Sequence, residues 1–201
     1  MSLSSRMVVV LTTVGLLAGG FLASVGHLTK GRIALNKQRE IESAIKQVVP
    51  GTHSNQALYE EKKLTIYGGL DEEDSLLGYA IQVTGVGFQD EITFMVGITN
   101  DLTRINSLAI LEQKETPGLG AKIADKESFL KYWKNKDCTQ PLSLRKPAAR
   151  SSEELAPSEI NTITGATISS EAVLNTVNSS LEKARKLKES GQLKIEGKNA
   201  Q

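Results

Sequence analysis

Apolar residues follow a different pattern in each part of this chain, and each pattern predicts a different kind of element. The first pattern is an uncharged run of 20 residues, Met7 to Gly26. A run of that length can span a hydrocarbon core of about 30 Å as one helix. Directly after it, apolar residues recur at helical spacing from Ile33 to Val48, and Pro50-Gly51 ends the pattern. We therefore expect a transmembrane segment followed by a second helical stretch.

The middle of the chain shows the alternation of apolar and polar residues that is typical of strands. The expected strands are Tyr79–Thr84, Glu91–Ile98 and Arg104–Leu111, with turns at Gly85-Val86-Gly87 and Asn100-Asp101. Successive strands joined by short turns predict an antiparallel meander. Residues 52–76, which precede them, are polar and acidic, and we expect a solvated loop there with a possible short strand at Leu64–Tyr67.

The C-terminal half predicts helices separated by an irregular connection. One helix is expected from Asp125 or Lys126 to Lys134, with Phe129, Leu130 and Trp133 facing inward. Prolines and serines make residues 135–159 an irregular connection. The last helix carries its apolar residues on one face, and these are Val173, Leu174, Val177, Leu181 and Ala184. Ser169 or Ser170 is its expected N-cap. Together these elements predict an α+β fold.

Composition and charge exclude several kinds of site. The net charge of +1 does not suggest a nucleic-acid partner. Cys138 is the only cysteine, which excludes an internal disulfide and Cys-ligated zinc or iron–sulfur centres within the chain. His27 and His53 are isolated, and the acidic residues of 60–74 lack a regular ligand spacing, so we expect no metal site. Electron chemistry would therefore require another cofactor.

The length of 201 residues suits one globular domain with an anchor. We expect a short cytoplasmic stub and transmembrane signal-anchor over 1–27, a connecting helix over 28–50, a single domain over 51–190 and a polar tail over 191–201. A cleaved signal peptide is the alternative to the anchor, but the apolar run is long and no clear A-x-A site follows it. Basic residues after the run outnumber Arg6 before it, so the positive-inside rule alone would place the domain in the cytoplasm.

Two short segments carry the candidate chemistry. The first is Thr164-Gly165-Ala166-Thr167, which directly precedes the last predicted helix. A hydroxyl just ahead of a helix N-terminus is where a phosphate can be held, because backbone N–H groups point at it. The bland interpretation is an ordinary capped helix, and the neighbouring hydroxyls of Thr162, Thr164, Ser169 and Ser170 compete with that of Thr167.

The second segment is Glu115-Thr116-Pro117-Gly118-Leu119-Gly120, a loop that follows the third predicted strand. Pro117 restricts φ, while Gly118 and Gly120 permit positive φ and a close approach of the backbone to a planar ring. Leu119 offers an apolar surface for stacking. Taken alone, the segment is better explained as a Pro-Gly turn that links a strand to a helix.

Together, ETPGLG at 115–120 and TGAT at 164–167 resemble the FMN-binding domain of the G subunit of the Rnf ion-translocating electron-transport complex. The C subunit of the sodium-translocating NADH:quinone reductase is similar to that family. The resemblance implies FMN bound covalently, with its phosphate esterified to Thr167, and with Thr116 and Leu119 near the flavin. It implies that the other residues of both motifs contribute to FMN binding: Thr164, Gly165, Ala166, Glu115, Pro117, Gly118 and Gly120. Asn161 stands six residues before the acceptor, where the family usually has Asp.

The resemblance also implies a function and a location. The chain would be a redox subunit of an ion-translocating oxidoreductase complex that relays electrons and is not active alone. Its partners would be other membrane subunits of the complex and a flavin transferase for maturation. It would be a single-pass protein of the bacterial inner membrane, with its soluble domain on the periplasmic face, opposite to the charge count.

Three alternative functions remain open from the sequence. The chain could be the component of a sodium-translocating NADH:quinone reductase that corresponds to its C subunit, or a stand-alone anchored flavoprotein of an extracellular electron route. It could also be a cofactor-free anchored assembly module that retains the fold. Genes encoded nearby would separate the two flavoprotein alternatives from the Rnf-type protein, and intact-protein mass would identify the cofactor-free module.

Overall fold

A computed structural model describes residues 2–194 of the chain. It divides into two compact units between Ile41 and Glu42. The part of the expected polar tail formed by residues 195–201 lies outside the described residues. The antiparallel sheet, the long N-terminal helix and the C-terminal helix confirm the predicted α+β architecture.

The first unit is formed by helix α1, which extends over Leu3–Val48 without interruption. Among the described residues it is the helix that is long and apolar enough to cross a membrane. Its most apolar 18-residue window has a mean hydropathy of 2.2, and none of that window is buried inside the protein. The helix ends at Val48, two residues before Pro50, as the sequence predicts. Ala44, Ile45 and Val48, in the part of α1 that belongs to the second unit, are buried.

The second unit is built around a six-stranded antiparallel sheet whose strands follow the order of the chain. Its strands are β1 (Ser54–Glu61), β2 (Leu64–Leu70), β3 (Leu76–Val86), β4 (Glu91–Thr99), β5 (Arg104–Glu112) and β6 (Lys136–Asp137). A small parallel pair is formed by β7 (Ser143–Arg145) and β8 (Glu159–Asn161). Helix α2 (Thr167–Glu189) closes the domain and packs on β3.

The core lies between the sheet and α2. All five apolar residues predicted to face inward from this helix are buried: Val173, Leu174, Val177, Leu181 and Ala184. Strand residues such as Ile81, Phe94 and Val96 are fully buried in the same cluster. The 3.6-residue and two-residue periodicities therefore identified the faces that meet in this core correctly.

Three local predictions were wrong. Residues 52–76 hold strands β1 and β2 rather than a solvated loop, although the short strand considered at Leu64–Tyr67 is confirmed as part of β2. With β6 added, the meander has six strands and not three. The turn after β3 lies over Gly87–Asp90, because Val86 still pairs with Glu91. The irregular connection 135–159 contains the short strands β6 and β7, and β8 begins at its last residue; these strands pair with residues distant in sequence.

The helix expected to end at Lys134 is also absent. The Leu130 and Lys131 N–H groups donate five residues back, to the Asp125 and Lys126 carbonyls at 3.1 and 3.0 Å, so regular α-helical bonding does not continue. A short 3₁₀-helix follows at Leu130–Trp133. Phe129 and Trp133 are nevertheless fully buried, while Leu130 is only partly buried. The prediction that these aromatic residues face inward is confirmed, although the predicted helix does not form.

Candidate functional site

The two motifs of the sequence meet at one cleft of about 290 Å³. The first motif leaves the end of β5, and the second directly precedes α2. Their contact is close, because a Cβ added to Gly165 would lie 3.4 Å from Leu119 Cδ2. The residues that line the cleft are Phe88, Glu115, Thr116, Leu119, Gly120, Gly165, Ala166, Thr167, Ile168 and Ser169.

Helix α2 presents its N-terminus to this cleft. It begins at Thr167 with Ala166 as its N-cap residue, so the expectation of a cap at Ser169 or Ser170 was wrong. No side chain of the described residues caps this end of the helix. The first N–H groups of a helix lack intrahelical acceptors and carry the positive end of its dipole. The end of α2 is therefore suited to an anion such as a phosphate.

The five hydroxyls that could serve as the attachment point near this helix differ in burial and hydrogen bonding. Ser169 Oγ donates to Glu115 Oε2 at 2.8 Å, and Ser170 Oγ donates to the Ala166 carbonyl at 2.9 Å. Both serines and Thr162 are buried. Thr164 is exposed and does not line the cleft.

Thr167 remains as the accessible hydroxyl that borders the cleft. It is half-buried at the first turn of α2, and its hydroxyl makes no hydrogen bond to another described residue. The same turn places the free N–H groups of the helix end beside it. This arrangement distinguishes Thr167 from the four other hydroxyls by position and hydrogen bonding, which the local sequence could not do.

Glu115 lies buried at the base of the cleft and joins three segments of the chain. Its Oε1 accepts hydrogen bonds from the backbone N–H groups of Phe88 at 2.8 Å and Gln89 at 3.1 Å. Its Oε2 accepts the bond from Ser169. The carboxylate thereby holds the turn after β3 and the first turn of α2 against the loop that carries it.

The remaining residues of the first motif differ in their relation to the cleft. Thr116 lines it and donates from Oγ1 to Gln89 Oε1 at 3.0 Å. Leu119 lines it with a half-exposed side chain. Pro117 and Gly118 do not line it, although Gly118 has the positive φ, +77°, that the sequence suggested.

Gly120 serves a different contact from the one expected. Its φ is not positive, and a Cβ there would collide with the Glu115 carboxylate and lie 2.7 Å from Ser169 Oγ. The missing side chain therefore allows the loop to pack against Glu115 and the start of α2. In this structure the close approach at Gly120 is between protein segments.

Two residues of the cleft were not identified from the sequence. Phe88 lies in the turn after β3, and Ile168 follows the second motif. Both are large apolar side chains that remain more than half exposed. Their exposure is a tertiary property, but an aromatic residue inside a Gly-rich turn was a signal that could have been noted.

Asn161, the residue that departs from the family pattern, is buried in β8. Its Oδ1 accepts from the Ala149 N–H at 2.8 Å, and its Nδ2 donates to the Ala149 carbonyl at 3.1 Å. The amide thus uses its acceptor and one of its donors on the backbone of a single residue. It ties the segment before the second motif to the connection that follows β7.

Other reactive side chains lie apart from the cleft. Cys138 is fully buried, and burial raises the pKa of its thiol to about 11, so the reactive thiolate is disfavoured. Trp133 is buried in the core, where it makes an edge-to-face contact with Phe129. Among the described residues, no group of three or more His, Cys, Asp or Glu side chains could hold a metal ion.

Comparison with known proteins shows which family the residues of this cleft match. Residues 87–182 match the FMN-binding domain family. The chain carries an FMN-binding domain. Both motifs, Phe88 and most of α2 fall within the matched residues, so the cleft is formed entirely by the FMN-binding domain.

Curated relatives extend the similarity beyond the FMN-binding domain. The G subunit of the ion-translocating oxidoreductase complex of Methanosarcina acetivorans is 24% identical over 185 residues, which cover 89% of this chain and 93% of that protein. The protein of the same name from Vibrio vulnificus is 27% identical over 180 residues and 81% of each chain. The crystal structure of NqrC from Shewanella oneidensis shares the fold, with a TM-score of 0.52 and 18% identity over 68% of this chain and 67% of that one.

Proposed function

We propose that this protein is a membrane-anchored flavoprotein subunit that relays electrons within an ion-translocating oxidoreductase complex, and that its FMN is attached covalently to Thr167. The names of its relatives, which align with most of the chain, support membership of such a complex. The FMN-binding domain supports the cofactor. The apolar part of α1 supports anchoring in a membrane.

The position of Thr167 carries the covalent part of the proposal. Its hydroxyl borders the cleft at the uncapped end of α2. An ester between this hydroxyl and the FMN phosphate would be a phosphodiester with one negative charge. The helix end would stabilise that charge by about 0.3–1 kcal/mol.

The other residues of the cleft would hold and surround the flavin. Thr116 and Leu119 line the same cleft as the attachment point, where loop groups would contact the ring and influence its potential. Gly165 supplies the positive φ, +84°, with which the chain of the second motif approaches α2. FMN supplies the redox chemistry when bound, and this chain supplies the attachment, the orientation and the surroundings.

The location and partners follow from the same proposal. The apolar run Met7 to Gly26 contains no ionisable residue, so the ion path of the complex would lie in its other membrane subunits. We place the soluble domain on the periplasmic face, where a covalent bond prevents loss of FMN that could not be recaptured. A flavin transferase would attach the FMN there.

Two threonines of one motif provide the test of attachment. We expect full-length protein made with a flavin transferase to carry one FMN, seen as in-gel fluorescence and as added mass on the peptide containing Thr167. Thr167→Ala should abolish the label. Thr164→Ala is the matched control, because Thr164 is exposed and does not line the cleft, and it should keep the label. Label that survives Thr167→Ala would contradict the assignment.

Membership of a complex is tested separately. Affinity purification of the full chain from its own membranes should recover other membrane subunits, with both wild-type protein and the Thr167→Ala variant. Electron transfer by the recovered complex should be lost in the variant. Recovery of the wild-type chain alone, with its flavin, would favour a stand-alone flavoprotein instead.

A further inference from the structure

Most of the exposed large apolar side chains of the second unit lie at or near the cleft. Outside α1, the exposed large hydrophobic residues of the described chain are Leu77, Val86, Phe88, Leu119 and Ile168. Three of them, Phe88, Leu119 and Ile168, line the cleft, and Val86 is two residues before Phe88. Scattered exposed apolar residues need no explanation, but a contiguous group marks a surface that is covered by something.

Phe88 is the aromatic member of this group, and its backbone is held firmly. It lies in a turn in which the Gly87 N–H donates to the Asp90 carbonyl at 2.9 Å. The N–H groups of Phe88 and Gln89 both donate to the buried Glu115. Yet 65% of the Phe88 residue surface is accessible to solvent. An anchored backbone that presents an exposed aromatic ring to a cleft is suited to contact with a ligand.

We propose that Phe88 is the aromatic wall of the cleft, stacking on the isoalloxazine ring of the FMN, and that Glu115 is the residue that positions it. This inference rests on the proposed function. An aromatic ring packs well on a planar π-system in an offset or edge-to-face arrangement. Leu119 and Ile168 supply the other apolar surfaces of the same cleft.

The size and polarity of the cleft favour this occupant. Its volume of about 290 Å³ is just below the range for small-molecule sites, about 300–1,000 Å³, so it suits part of a cofactor whose remainder is exposed. The uncapped end of α2 lies at the same cleft for the phosphate, while the exposed apolar side chains remain for the ring. The cleft thus offers separate surfaces for the two chemically different ends of FMN.

Stacking by Phe88 has a consequence for the flavin's potential. An apolar wall excludes water and disfavours the negative charge that a reduced flavin can carry. Phe88→Ala would admit water to that side of the ring. We expect the midpoint potential of the variant to move to a more positive value.

A tryptophan placed at position 88 tests the contact directly, because an indole touching a flavin quenches its fluorescence by electron transfer. We expect flavinylated full-length Phe88→Trp to lose most of its flavin fluorescence while keeping its FMN. Leu77→Trp is the matched control, since Leu77 is also exposed and apolar but lies at the opposite end of β3, roughly 30 Å from Val86 along the strand. The control should retain wild-type fluorescence.

The role of Glu115 is tested in the Phe88→Trp background. Glu115→Ala should restore much of the fluorescence, because the turn loses its anchor, whereas Glu115→Gln should leave it quenched. A Gln oxygen can still accept the two N–H bonds that Oε1 accepts now. Attached FMN should be measured in each variant by absorbance and intact mass.

The outcomes distinguish this inference from the proposed function. Flavinylated Phe88→Trp that fluoresces as strongly as Leu77→Trp, together with an unchanged potential in Phe88→Ala, would overturn the aromatic wall and leave the attachment at Thr167 intact. Equal quenching with Ala and Gln at position 115 would overturn the positioning role. Wild-type protein that carries no flavin after production with the transferase would overturn both.

Discussion

Two buried polar side chains support the cleft, and they do so in opposite ways. Glu115 acts only as an acceptor and joins segments 26 to 54 residues away along the chain. Asn161 both donates and accepts, and both of its bonds go to Ala149, 12 residues away. The first side chain connects three separate elements, whereas the second fixes one local connection.

This difference predicts which chemical change each position tolerates. A carboxylate offers acceptors only, and an amide offers one acceptor and two donors. Exchange of the carboxylate at Glu115 for an amide preserves the bonds to Phe88 and Gln89. Exchange of the amide at Asn161 for a carboxylate removes the donor to the Ala149 carbonyl and places two acceptors face to face. The two isosteric exchanges should therefore have unequal effects.

The largest effect is expected for Asn161→Asp. The buried carboxylate would face a carbonyl oxygen without a donor between them, and we expect a loss of about 3 kcal/mol in the free energy of unfolding at neutral pH. Urea denaturation of the full-length protein in detergent, followed by circular dichroism, measures it. Asn175→Asp is the control, because Asn175 is exposed on α2 and undergoes the same change of charge.

The Asn161→Asp variant also tests the departure from the family pattern. It restores the carboxylate that the family usually carries, and its rate of flavinylation can be compared with wild type in one time course. An unfolding free energy equal to that of wild type would show that the amide bonds to Ala149 do not matter for stability.

A smaller effect is expected when Glu115 is truncated. Glu115→Ala leaves the Ser169 hydroxyl and two backbone N–H groups without their acceptor, and it should cost about 2 kcal/mol. Glu115→Gln should cost well under half as much, because its oxygen replaces Oε1 and its amide can donate to Ser169 Oγ. Chemical denaturation of both variants under identical conditions gives the difference. Equal losses would show that the negative charge, rather than the acceptor geometry, is what the fold requires.

The smallest effect is expected at the tip of the loop. Gly118 has a φ of +77° with open space around it, so Gly118→Ala should cost about 1 kcal/mol through backbone strain alone. Because Gly118 does not line the cleft, the absorption spectrum of attached flavin should stay unchanged. A shifted flavin spectrum in this folded variant would show that the tip of the loop reaches the cofactor. The loop would then influence the flavin mainly through its tip and not through Glu115.

Much of the fold could be predicted from local patterns. The apolar run of α1, the strands β3 to β5 and the buried face of α2 followed from periodicity, and the breaks followed from Pro50 and the glycine-rich turns. Strand β1 was missed because its residues do not alternate between buried and exposed positions, and none of them is buried. The helix expected up to Lys134 is replaced by turns and a 3₁₀-helix, because the Leu130 and Lys131 N–H groups bond five residues back and the Tyr132 N–H bonds three residues back, which interrupts the α-helical ladder.

The sequence by itself determined which segments could form the site and which chemistry they could hold. The order of the two motifs, the hydroxyl at Thr167 and the absence of a second cysteine are properties of the chain that no folding can change. Tertiary structure alone decided that Ser169 and Ser170 are occupied, that Thr167 faces the cleft, and that Phe88 joins it. Burial and hydrogen-bond partners depend on contacts between residues that are distant in sequence. The bond from Ser169 to Glu115, which are 54 positions apart, is an example. A local sequence pattern cannot predict such contacts.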